Sequence, residues 1–346
     1  MRQQRFDGLT GLKGLFSLVI VFFHTLPITP LIERIPLSSF VRNFGGGFGN
    51  SFFFVVGGFL ISMGYRDRIS GGQISFRDFL VKRLRRLYPL YLITNLVSLV
   101  VNSIQFGASA IDLKRILFTA LLQNGGGLST EYPYNGPSWF VSALLCCYLV
   151  FFFFAYHSKH ATAYRCLIAG GIVWGYSIAS GRWMMPLAFA HHGDSFFAFF
   201  SGCALAEIYP LVARKNRGWF AWPAAGILLA ALGMMMRYGV EIIAGDIRVV
   251  FAWLVCPLLI YLALFSRLVS RILQCRPLKW LGDISFSVYL WHFVIYDIFR
   301  YTYAAVCPGK AIEEPQYLLY LVLTLLVSIL SHRIQEGKRP EKTASR

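Results

Sequence analysis

LKGLFSLVIVFFHT, residues 12–25, is an apolar run with a lysine near its start and a histidine near its end. Crossing bilayer hydrocarbon as a helix takes about 20 such residues. Comparable runs recur along all 346 residues, near 12–27, 48–65, 88–106, 138–156, 166–180, 196–210, 220–236, 249–265, 286–302 and 316–332. They lack the period-two alternation of membrane strands, so helices are the expected form. Composition agrees: 56% of residues are hydrophobic and only 14% charged, against roughly a quarter charged in soluble domains. The expected fold is all-α, a polytopic integral membrane protein of about ten transmembrane helices.

The formal charge of +17 would suggest nucleic acid as a partner of a soluble protein. Its distribution says otherwise. With ten spans both termini lie on one side, and the segments on that side, together with Lys13 at the start of the first run, carry 24 of the 33 Lys and Arg; the opposite segments carry 8, and Arg300 lies within a span. The positive-inside rule then makes both termini cytoplasmic. The charge is orientation signal, and no nucleic-acid partner is needed. A single transmembrane domain is expected over residues 1–335, with EGKRPEKTASR, 336–346, a basic and disordered cytoplasmic tail. The first run is followed by Pro27 with no small-residue cleavage pattern, so it is expected to stay as a span. The seven cysteines are scattered without CxxC or Cys/His spacing, and no metal site is expected. The glycine clusters at 44–49 and 124–127 lack a following GK[ST] and do not read as phosphate loops.

On a helix, Lys13 and His24 lie about three turns apart, within roughly 20° of each other and about 16 Å apart along the axis. Lys13 at the cytoplasmic boundary reads either as a snorkelling lysine or as part of a site. His24 lies deeper, where an ionisable group is costly enough to suggest function, the alternative being a bond to a neighbouring helix. FLVKRLRRLYPLY, 79–91, concentrates Lys82, Arg83, Arg85 and Arg86. It reads as topogenic charge at a helix start, with Pro89 in the first turn, or as a polyanion site, since guanidinium forks grip phosphate bidentately. On the outer side, 107–137 carries Glu131, Tyr132 and Tyr134 ahead of Trp139, and 181–195 places His191, His192 and Asp194 together. For a carboxylate orienting His24 the candidates are Asp194, then Asp297 and Glu207. His292 reads either as functional or as a structural helix–helix hydrogen bond.

Five blocks carry a resemblance. GLKGLFSLVIVFFH, FGNSFFFVVGGFLIS (48–62), KRLRRLYPLY, PSWFVSALLCCYLVF (137–151) and WLGDISFSVYLWHFVI (280–295) resemble, in order, the signatures of the membrane acyltransferase-3 family. Lys13 stands where that family usually has arginine, and Gly57 where it usually has serine before the GF pair. The resemblance implies transfer of an acyl group, most often acetyl, from cytosolic acyl-CoA to a hydroxyl of a surface or exported carbohydrate, in the cytoplasmic (inner) membrane. The chain ends after the tenth span, so no appended hydrolase-like domain is expected. The residues support a mechanism: Lys82, Arg83, Arg85 and Arg86 hold the CoA phosphates, the arm passes Lys13, and His24 serves as general base or covalent carrier. Glu131, Trp139, His191, His192 and Asp194 are the candidate sugar contacts. The rival reading is a secondary transporter of a small polar or anionic solute.

Overall fold

The computed structural model describes residues 6–25, 38–124, 131–181, 190–215, 218–238 and 246–337. Within these residues every regular element is helical: α1 (Asp7–Thr25), α2 (Ser38–Ser70), α3 (Phe76–Phe106), the short α4 (Leu113–Ala120), α5 (Trp139–His157), α6 (Ala161–Ala179), α7 (Ala190–Lys215), α8 (Ala221–Tyr238), α9 (Ile247–Phe265), α10 (Arg267–Leu273), α11 (Arg276–Val306) and α12 (Glu314–Gly337). The described part of each of the ten apolar runs falls on one of the longer helices. Seven of these, α1, α2, α3, α5, α7, α9 and α12, are long and apolar enough to span a membrane. α8 is apolar but shorter. The chain is therefore a polytopic helical membrane protein. Most of the tail expected from 336 onward lies outside the described residues.

Local chemistry sets the helix ends. Asp7 in the first turn of α1 places a carboxylate on the positive pole of the helix. α3 begins at an N-cap, where Ser75 Oγ accepts from the Asp78 amide at 3.1 Å and donates to the Asp78 carboxylate at 2.7 Å. This cap moves the start of α3 well upstream of the apolar run. Pro89, expected in a first turn, therefore sits in the helix interior, where it leaves the Arg85 carbonyl without its i+4 donor. Ser75→Ala is expected to cost about 1 kcal/mol, read as a lowered thermal midpoint in detergent; an unchanged midpoint would mean that packing alone holds this helix start.

Two helix pairs form the frame of the bundle. α1 lies against α11 through Gly14 and Gly282: a Cβ on Gly14 would stand 2.8 Å from the Gly282 amide nitrogen, and one on Gly282 only 1.9 Å from the Thr10 carbonyl oxygen. α2 and α7 meet in the same way at Gly58 and Gly202. Such approaches let backbones touch where lipid gives no hydrophobic drive for helices to associate. The Gly57 departure is sterically neutral, because a Cβ there meets only Leu144 Cδ1 at 3.8 Å. Stacked rings fill the space between the pairs, Phe16 on Phe52 at 3.8 Å and Phe48 on Phe251 at 4.0 Å between centroids. The Lys279–Asp7 ion pair, 3.2 Å, joins the starts of α11 and α1.

Candidate active site

α1 is helical without interruption from Asp7 to Thr25, so the register between Lys13 and His24 holds, and the two residues mark the two ends of one face. At the His24 end the helix is tied down by Thr25, whose hydroxyl lies 2.8 Å from the Tyr317 hydroxyl of α12. The imidazole turns inward to α11. Its Nδ1 is 3.0 Å from the Ile20 carbonyl oxygen and 3.2 Å from His292 Nε2. The two ring centroids are 5.0 Å apart, and the Phe293 ring packs edge-on to His24 at 5.5 Å.

A carbonyl oxygen only accepts, so the contact with Ile20 puts the proton on Nδ1 of neutral His24. That leaves His24 Nε2 with its lone pair, and it has no hydrogen-bond partner among the described residues. The sequence offered Asp194, Asp297 and Glu207 as carboxylates that could orient this ring, without identifying one. The structure places a histidine there instead, because each candidate acid is paired with arginine elsewhere: Asp194 with Arg248 at 3.0 Å, Asp297 with Arg300 at 3.1 Å, and Glu207 with Arg165 at 3.1 Å.

Beside the pair, a polar lattice fixes residues 135–138. Asn95 of α3 donates to Ser138 Oγ at 2.9 Å and accepts from the Asn135 amide at 2.9 Å. Asn135 Nδ2 in turn donates to the Leu290 carbonyl at 2.8 Å. The Tyr289 hydroxyl donates to the Pro137 carbonyl at 2.7 Å. All four of Asn95, Asn135, Ser138 and Tyr289 are buried, so this segment is a fixed strap between α3 and α11. Just beyond it, Trp139 stacks on His191 at 4.8 Å, and His191 Nε2 lies 2.5 Å from the Tyr132 hydroxyl. His192 is buried, and Glu131 is exposed. Trp139 and His191 are thus brought together with Tyr132, whereas Asp194 is drawn toward Arg248 and Asp246 at the start of α9.

At the other end, the four cations of 82–86 do not share one surface. Lys82, Arg85 and Arg86 are exposed. Arg83 is buried, with its guanidinium over the rings of Tyr65 at 4.4 Å, Phe79 at 5.3 Å and Tyr148 at 5.6 Å. Arg68 and Lys82 also approach the Tyr65 ring, at 5.7 and 5.5 Å. Lys13 lies within electrostatic reach of Arg86 and Asp283. Cations from α1, α2 and α3 therefore converge on one basic end. The contribution of Arg68 and Tyr65 was hidden in the sequence, since the turn between α2 and α3 separates them from the 79–91 run. His292 was visible only as a polar residue inside a span. Among the described residues no group of three or more His, Cys, Asp or Glu side chains could hold a metal ion.

A helical membrane protein with a paired-imidazole centre and a cationic end is the class that these features define. The family model described as "Acyltransferase domain" matches residues 6–333. The chain belongs to the acyltransferase-3 family. It is similar to the peptidoglycan O-acetyltransferase OatA of Listeria monocytogenes, 23% identical over 366 residues, covering 95% of this chain and 55% of that protein. It is also similar to YrhL of Bacillus subtilis, provisionally named a peptidoglycan O-acetyltransferase, 24% identical over 376 residues, covering 95% and 54%. The chain thus spans about half the length of the curated relatives it matches. No solved structure matches it.

Proposed function

We propose that this protein transfers an acyl group, acetyl in the simplest case, from acyl-CoA to a hydroxyl of a surface or exported carbohydrate. The observation that carries the reading is His24, half-buried against α11 with Nδ1 satisfied and Nε2 without a hydrogen-bond partner among the described residues. Family membership and relatives named for peptidoglycan O-acetylation support the reaction class and the kind of acceptor.

In this reading His24 Nε2 takes the proton from the acceptor hydroxyl as its oxygen attacks the thioester carbonyl carbon. The C–S bond then breaks, and His24 returns the proton to the departing thiolate. The phosphates of CoA rest at the basic end on the exposed Lys82, Arg85 and Arg86; Arg83, turned inward among the rings of Tyr65, Phe79 and Tyr148, adds its charge from beneath that surface without touching them. Lys13 offers a point charge further in, able to meet a phosphate or polarise the thioester carbonyl but without the bidentate fork of the arginine usual in the family. The acceptor enters beside the strap, with Trp139, His191 and the exposed Glu131 as sugar contacts; His192 is buried behind them and Asp194 is engaged by Arg248, so these two shape the site without touching the sugar. In this reading the protein lies in the cytoplasmic membrane with both termini in the cytosol, as the distribution of Lys and Arg supports.

The test is incubation of membranes with radiolabelled acetyl-CoA and mass spectrometry of the surface glycans. The expected result is label, and a one-acetyl mass increment, in the glycan fraction only when the protein is present. A carrier would leave the donor unconsumed and its solute uptake indifferent to acyl-CoA, and that outcome would sink the proposal. Lys82→Gln and Arg86→Gln, both at exposed positions, are each expected to raise the KM for the donor about tenfold with kcat little changed. The loss should shrink as salt is added, because screening already weakens the wild-type attraction.

A further inference from the structure

We infer that His292 is a positioning residue for His24: its Nε2 lone pair accepts a hydrogen bond from the His24 Nδ1–H, which it shares with the Ile20 carbonyl, and fixes the ring with Nε2 presented as the base. The inference rests on the acyl-transfer reading above. Its starting point is the Tyr289 carbonyl, which lies 2.6 Å from His292 Nδ1. That oxygen only accepts, so Nδ1 of His292 carries the proton and Nε2 of the neutral ring is an acceptor. The atom facing it at 3.2 Å is His24 Nδ1, which the Ile20 carbonyl already requires to be protonated. The two assignments are reached from separate carbonyls, on α1 and on α11, and they agree on one donor meeting one acceptor.

The Ile20 carbonyl belongs to the same helix as His24 and holds the ring only relative to α1. His292 holds it relative to α11, which makes Nε2 point in a fixed direction within the bundle. His292 itself has no freedom: it is fully buried, its backbone oxygen accepts from the Tyr320 hydroxyl at 3.2 Å, and its neighbour Tyr289 is tied to the Pro137 carbonyl. Once the acceptor's proton reaches His24 Nε2, the ring is an imidazolium and Nδ1–H becomes a charge-assisted donor. A neutral acceptor in place then strengthens its bond as the reaction proceeds. A purely structural helix–helix contact would not depend on which atom of residue 292 accepts.

Two substitutions separate these roles. His292→Gln can place a carboxamide oxygen near the position of Nε2, and His292→Phe keeps a ring of similar size without an acceptor. The expected kcat with labelled acetyl-CoA and glycan acceptor falls about 100-fold for H292F and less than about 10-fold for H292Q, with the KM for the donor within about twofold of wild type in both. The double variant H24Q/H292F should be no slower than H24Q alone, since a positioning residue has nothing to act through once the base is gone. Wild-type kcat in H292F, or an equal fall in H292F and H292Q, would overturn the inference while leaving the function reading intact. Wild-type membranes that transfer no label would sink that reading and this one with it.

Discussion

Membranes carrying His24→Gln in place of wild type are expected to transfer acyl groups about a thousandfold more slowly, the scale lost when a positioned general base is removed. Glutamine fills much of the same volume and can still meet the Ile20 carbonyl or His292 through its amide, so the α1–α11 contact survives. What it lacks is a lone pair that takes and returns a proton near neutral pH. The loss should fall on kcat, with donor KM close to wild type, because the cations proposed to hold the phosphates lie on α3 at the basic end, the end marked on α1 by Lys13, about three helical turns from His24. A variant that keeps even a tenth of wild-type kcat would remove His24 from the base role.

Gly282→Leu is expected to prevent assembly of the bundle, with little folded protein recovered in detergent and no transfer activity. The first atom added would already stand 1.9 Å from the Thr10 carbonyl oxygen, so α1 must move away as a body. Overpacking of a well-filled interior costs about 1–3 kcal/mol where side chains can yield, and here the obstacle is backbone. The displacement would also drag His24 from His292, so a partly folded variant should be inactive. Gly57→Ser is the matched control: its Cβ meets one methyl group at ordinary contact distance, and wild-type stability and activity are expected. A stable, active Gly282→Leu would mean that α1 and α11 are less closely coupled than their backbones indicate.

The membrane architecture was legible in the sequence because hydropathy reports the lipid-facing stretch of each helix directly. The helix ends were less so. α2 extends well beyond 48–65 and α3 starts well before 88, since caps such as Ser75 and Asp78 set the ends, and these polar residues lie outside the apolar runs. At the site, the face shared by Lys13 and His24 could be read from helical spacing alone. The pairing of His24 with His292 could not, because the two are 268 positions apart and only the glycine contact of α1 with α11 brings them together. The search for a carboxylate followed from the pattern of charged partners for histidine. A buried carboxylate would have to be desolvated, whereas a neutral imidazole accepts the same proton at far less cost. The inward turn of Arg83 was likewise hidden, since KRLRR reads as uniformly solvated until the rings of Tyr65, Phe79 and Tyr148 are placed around it.

The amide-bonded segment between α3 and α11 has a consequence for the choice of acceptor. Because Asn95 and Asn135 fasten it from both sides, the rim next to His24 keeps its dimensions whether or not a sugar is bound. A glycan would then be selected by whether its hydroxyl reaches past a rigid edge, with no closing motion to correct a poor fit. Loosening that edge by Asn135→Ala would widen the range of acceptors while slowing the reaction with the preferred one.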